Sequence, residues 1–213
     1  MFNLNSVTII SRIITLIIAF SVHEFAHAWT ANAFGDDTPR ANGRLTLNPA
    51  AHLDLMGTLM LLFAGFGWAR PVPINPYTLR RRSPSAVMWV SLAGPLSNLF
   101  LAILAAIPLR LGLVPFRFSS GMFPSIFEFL LEFITINLLL LLFNLIPLAP
   151  LDGEKIAEYL FPPSWANFMQ TIQPYGPLIL MLIVFVGPMI GIDLLGWILR
   201  PALLGLRSLL IGI

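Results

Sequence analysis

His23-Glu24-Phe25-Ala26-His27 places two histidines and a glutamate in the order H-E-x-x-H within an apolar run. Histidines at i and i+4 share one helix face, so both imidazoles can reach one metal ion. Glu24, beside the first histidine, is placed to take a proton from water that such a metal activates. A carboxylate in a membrane-length apolar segment is costly, and an ionisable residue there is a functional hypothesis by default. The chain has three histidines, two of them here, and no cysteine. Only His, Asp and Glu therefore remain as ligands for zinc. A catalytic zinc takes three protein ligands and keeps a position open. His52, Asp54, Asp152 and Asp193 are candidates for the third. Asp152 stands out on local grounds, because Pro147 and Pro150 precede it and Gly153 follows. Such a stretch must break a helix, and unwound backbone at membrane depth is tolerated only around a polar cavity. Asn144, just upstream, either satisfies carbonyls freed by Pro147 or faces that cavity.

These residues need elements to hold them, and the composition says which kind. The chain has 213 residues, 57% hydrophobic and 10% charged. Soluble domains are about a quarter charged, so this is an integral membrane protein. Spanning a hydrocarbon core about 30 Å thick takes about 20 apolar residues per helix. Val7 to Ala33, Ala86 to Ile107, Ser125 to Leu148 and Pro177 to Ile192 meet that length or approach it, and 194–213 is either a last span or an interfacial helix. Residues 54–68 are apolar but short and contain Gly57, Gly65 and Gly67, which favours a re-entrant element over a crossing. Arg44-Leu45-Thr46-Leu47 alternates after Gly43 and predicts a short strand, closed by the turn at Asn48-Pro49. A short helix is expected around Ile156 to Leu160. Met1 to Ser6 carries no basic residue, so the first apolar run reads as a retained helix and not a cleavable signal. The expected fold is an all-α polytopic helical bundle of about four to six membrane segments, with a short membrane-associated β-hairpin or re-entrant region. Residues 1–213 form one domain, with its core at about 7–160.

The formal net charge is +2. The basic residues are scattered over loops, which reads as topology and not as a nucleic-acid surface. Arg40, Arg44, Arg70, Arg80, Arg81 and Arg82 put residues 34–85 on the cytoplasmic side. If 54–68 does not cross, the Asp152 loop returns to the same face as His23 and His27. Glu128 and Glu132 read as solvated, Gly94-Pro95 as packing, and Trp29, Trp68, Trp89, Trp165 and Trp197 as interface anchors.

HEFAH at 23–27 and NLIPLAPLDG at 144–153, in this order and both at membrane segments, resemble the site-2 protease family of intramembrane zinc metalloproteases. SLAGPLSN at 91–98 resembles that family's middle core helix. GRLTLNPAAHLD at 43–54 is similar to a compact prokaryotic branch without a PDZ or CBS domain. The resemblance implies one zinc per chain, held by His23, His27 and Asp152, with Glu24 as general base. It also implies a part for Asn144 in holding the substrate or its oxyanion, and it places a histidine like His52 near the site. The implied activity is peptide-bond hydrolysis in or near transmembrane segments of membrane proteins, at the cytoplasmic side of a prokaryotic cell membrane. The substrate helix must unwind locally, and the expected strand at 43–47 could pair with it by strand addition. The implied partners are a membrane-protein substrate and the lipid bilayer; a homo-oligomer is left open. A membrane metal-ion carrier and a catalytically silent helix-binding protein are the competing readings. Glu24 would be surplus in the first, and its presence argues against the second.

Overall fold

The computed structural model describes residues 6–54, 56–57 and 68–212. Its elements are helical. The long helix α1 (Ser6–Ala33) is followed by a short α2 (Thr38–Ala41), a 3-10 turn (Pro49–Ala51) and α3 (Pro76–Arg82). Next come α4 (Ala86–Arg110), α5 (Ile126–Asn144) and α6 (Asp152–Leu160). The chain ends in α7 (Pro163–Ile172), α8 (Gly176–Met181), α9 (Gly187–Met189) and α10 (Leu194–Ile211). Five helical stretches among the described residues are long and apolar enough to cross a membrane: Val7–Ala33, Ala86–Arg110, Ile126–Asn144, Pro163–Met189 and Leu194–Ile211. The fourth is pieced together. A 3-10 turn at Gln173–Tyr175 and a π turn at Leu182–Val186 interrupt it, and Pro174, Pro177 and Pro188 stand at the starts of new pieces.

Helices α1, α4 and α5 form the centre. Small residues let their backbones approach, as association in lipid requires. Ser11, Thr15, Ala19, His23, His27 and Ala31 recur every fourth residue along α1, and all are buried. On α4, Ala102, Ala105 and Ala106 pack with Phe133, Ile134, Leu138 and Leu141 of α5 and with Ile211 of α10. A second cluster of Ala31, Leu79, Ala86, Val87 and Val90 closes the other end. There the fully buried Asp36 accepts from the N–H groups of Thr38 (3.0 Å) and Asn75 (2.6 Å), tying the end of α1 to the start of α3. His27 meets Val90 and His23 meets Asn98, so α1 and α4 run antiparallel.

The structure corrects several expectations. Residues 43–47 are a bend and not a strand: the Arg44 N–H donates to Pro39 and the Thr46 N–H to Arg44, turning the backbone inward, while the Arg44 side chain is buried. Among the described residues, β pairing is limited to one isolated bridge between Leu53 and Ala69, so the expected β-hairpin is absent there. That bridge and the bond from Arg70 N–H to the His52 carbonyl (2.7 Å) bring the two ends of the 54–68 stretch together. Whether the stretch itself is re-entrant lies outside the described residues, which omit 55 and 58–67. Glu128 and Glu132 are not merely solvated. Glu128 forms a capping box with Ser125 and also accepts from Ser119 N–H, and Glu132 pairs with Arg12 at 2.6 Å. The helix expected at Ile156 to Leu160 begins four residues earlier, at Asp152.

Candidate metal centre

The break in helix after α5 sets up the centre. Leaving Asn144, the backbone folds back on itself before α6 starts at Asp152. A Cβ on Gly153 would run into the carbonyls of Leu145 and Ile146, so only glycine permits this return. The turn delivers Asp152 to the H-E-x-x-H face of α1. Its Oδ2 lies 3.2 Å from His23 Nε2 and 3.3 Å from His27 Nε2, and the two Nε2 atoms are 3.0 Å apart.

The protons on the rings decide what this cluster is. His23 Nδ1 sits 2.7 Å from Asn98 Oδ1, and His27 Nδ1 sits 2.7 Å from the Val90 carbonyl. Both partners are acceptors, so each ring carries a proton on Nδ1 and turns a bare Nε2 lone pair inward. Asp152 Oδ2 is buried and has no hydrogen-bond donor. Two nitrogen lone pairs and a carboxylate oxygen thus converge with nothing to satisfy them, the arrangement a cation would complete. Two imidazoles and one carboxylate make a borderline donor set suited to zinc, with three protein ligands and room for an open position.

Helix α4 is shaped to the two rings. A Cβ on Gly94 would fall inside contact distance of both imidazoles, so Gly94 is a clearance for the site and not general packing. Val90, Gly94 and Asn98 stand at i, i+4 and i+8, one face of α4. Glu24, buried on the same turn of α1 as the histidines, is within electrostatic reach of His27 and of Arg44. Arg44 is itself buried, donating to the Ala51 (2.7 Å) and Arg70 (3.0 Å) carbonyls. Its burial and the neighbouring Arg70 charge push the guanidinium pKa down, and Glu24 works against them.

Three residues that the sequence offers as alternative third ligands, His52, Asp54 and Asp193, lie outside the converging set among the described residues. His52 is fully buried and bonds the Thr46 carbonyl through Nε2 (2.7 Å). Asp54 accepts from Gly57 N–H, and Asp193 caps α10 by accepting from Gly196 N–H. Asn144 donates through Nδ2 to the Leu140 carbonyl one turn back in its own helix (3.0 Å). Asn98, Asn137, Val90 and Gly94, in contrast, belong to the site without being expected there. An asparagine near the middle of each of two spans is the signal the sequence does carry.

The chain is 46% identical over 182 residues to a Bacillus subtilis protein named "Putative zinc metalloprotease YwhC", covering 83% of this chain and 80% of the relative. It belongs to this zinc metalloprotease family. The "Putative zinc metalloprotease Rip2" of Mycobacterium tuberculosis is 31% identical over 189 residues, covering 85% of this chain and 67% of the relative. Its namesake from Mycolicibacterium smegmatis is 31% identical over 174 residues, covering 79% and 64%. No family profile and no solved structure matches the chain. The metalloprotease therefore has zinc as its cofactor, and His23, His27 and Asp152 are the described His, Asp and Glu side chains whose ligand atoms converge closely enough to hold a metal ion.

Proposed function

We propose that this metalloprotease is an intramembrane endopeptidase of the site-2 type, with zinc held by His23, His27 and Asp152 and with Glu24 as its base. The observation that carries this reading is the convergence of His23 Nε2, His27 Nε2 and the donorless Asp152 Oδ2 at one end of three apolar helices. When bound, the zinc supplies a Lewis acid that polarises the scissile carbonyl and makes water acidic enough, with a pKa near about 7, to be deprotonated at neutral pH. Glu24 takes that proton as the water oxygen bonds to the carbonyl carbon. It then delivers the proton to the amide nitrogen as the C–N bond breaks. His23, His27 and Asp152 hold their geometry throughout. Asn144 and His52 are engaged with backbone carbonyls, and we assign them no step.

The substrate class follows from the setting. Helices long enough to span a membrane surround the site, so the peptide bonds within reach belong to transmembrane or juxtamembrane segments, locally unwound. The segment at 43–47 is bent and offers no strand for an unwound substrate to pair with. Arg80 bonds Glu158 of α6 at 3.2 Å, so the arginine-rich segment and the Asp152 helix share one end. By the distribution of basic residues that end is cytoplasmic.

The test is Glu24→Gln in the purified full chain. The variant keeps about one zinc per chain and loses cleavage of a model membrane substrate by about 10²–10⁴-fold. Mass spectrometry of the parent's products places the cut within or beside the apolar segment. A variant that cleaves like the parent would sink the mechanism. Products cut only in soluble loops would remove the intramembrane assignment while leaving the protease in place.

A further inference from the structure

The two histidines are held by different devices. His27 Nδ1 meets a backbone carbonyl, which can only accept. His23 Nδ1 meets the side-chain amide of Asn98, which could present either end. Something must therefore decide which end faces the ring. Asn98 Nδ2 donates to Asn137 Oδ1 at 3.0 Å, with the Ala19 carbonyl at 3.5 Å. Asn137 Nδ2 in turn donates to the Phe133 carbonyl at 2.9 Å. A carbonyl fixes the far end of the chain. It forces the NH2 of Asn137 toward Phe133 and its oxygen toward Asn98, which forces the NH2 of Asn98 toward Asn137 and its oxygen toward His23. Both asparagines are fully buried, so water cannot substitute for either partner.

We propose that Asn98 and Asn137 are positioning residues, a two-amide relay from α5 through α4 that fixes the His23 proton on Nδ1 and so frees Nε2 for the metal. The inference rests on the zinc site proposed above and adds to it two residues that touch neither metal nor substrate. Asn98 supplies the acceptor and Asn137 its orientation. The roles are separable: without Asn137 the Asn98 amide keeps its place beside His23 but loses the near acceptor that turns its NH2 away from the ring.

The experiment measures zinc affinity by competition with a chelator in the full chain, together with 15N spectra of histidine-labelled protein. Asn98→Leu weakens zinc binding by about 10–100-fold. Asn137→Leu weakens it too and, in the spectra, removes the Nδ1 proton from His23 while leaving it on His27. A merely structural Asn137 would leave both Nδ1 protons in place in that variant, and that result overturns the relay. The parent's spectra test it as well. His23 and His27 carry the Nδ1 proton and His52, which bonds through Nε2, does not, so two of the three rings show Nδ1–H with or without zinc. A parent with only one such ring also overturns it. A parent that binds no zinc would instead strike at the metal site, with the ring count still reporting on the relay.

Discussion

The helices around the candidate metal cluster and the helices at the C-terminus are both long and apolar enough to cross a membrane but are differently built. In the most apolar windows of α1, α4 and α5, 33%, 39% and 33% of residues are buried; in Pro163–Met189 and Leu194–Ile211 the share is 11%. The inner three are bound by side-chain bonds across helices: His23 to Asn98, Asn98 to Asn137, Arg12 to Glu132. The outer span is broken into pieces and makes one close approach to the metal loop, where a Cβ on Gly176 would meet the Ala149 carbonyl. In lipid, apolarity alone gives helices no reason to associate. What separates the two regions is close packing and bonds between side chains of different helices, which gather around His23, His27 and Asp152; α10 is joined to α4 through Arg110 and the Leu209 carbonyl.

The contrast can be broken most directly through two carboxylates, Asp152 at the start of α6 and Asp193 at the cap of α10. Asp152→Ala abolishes stoichiometric zinc, read by metal analysis of the purified protein. Asp193→Ala, which only uncaps α10, leaves it intact. Equal zinc in the two variants would mean that the third ligand has been misplaced. Core deletion is the next largest effect. Leu138→Ala, at a fully buried site on α5, costs about 2–5 kcal/mol. Leu178→Ala in the outer span, more than half exposed, stays within about 0.5 kcal/mol. Thermal unfolding in detergent compares them, and similar shifts would erase the distinction. Gly176→Ala overpacks the contact with Ala149 and costs about 1–3 kcal/mol on the same assay; an unchanged transition would show that the outer span does not dock there. Asp193→Ala in turn lowers stability by about 0.5–2 kcal/mol for a lost cap, and a larger loss would make α10 more integral than its burial indicates.

Much of the inner region was legible in the sequence. Spans at Val7 to Ala33 and Ala86 onward follow from length and apolarity, and H-E-x-x-H fixes two lone pairs on one helix face. Asp152 is marked by Pro147, Pro150 and Gly153, because prolines must break the helix and the following glycine permits a tight return. What stayed hidden depends on contacts between elements. Asn98 and Asn137 lie 39 residues apart, and no local pattern says that their amides meet. Gly94 reads as packing because the rings it clears belong to another helix. The alternation at 43–47 misleads because Arg44 is buried through bonds to carbonyls of residues 51 and 70, which the period-two pattern cannot register. The four-residue stripe from Ser11 to Ala31 is present in plain letters, yet in an all-apolar helix it is the small and polar residues, and not the large ones, that mark the inward face.

The Nδ1 protons of His23 and His27 have one more consequence, for the electrical balance of the site. Rings protonated there are neutral when they bind through Nε2, so the ligands contribute a single negative charge, from Asp152. Glu24, acting as the proposed base, brings a second, and together they match a divalent ion. The proton that Glu24 accepts comes from within the site and is returned within it. For the ion, its proposed ligands and Glu24 the summed charge stays constant through the proposed cycle, with Arg44 standing outside that sum as a fixed positive neighbour, and a reaction that creates no new net charge can proceed in a medium that solvates ions poorly.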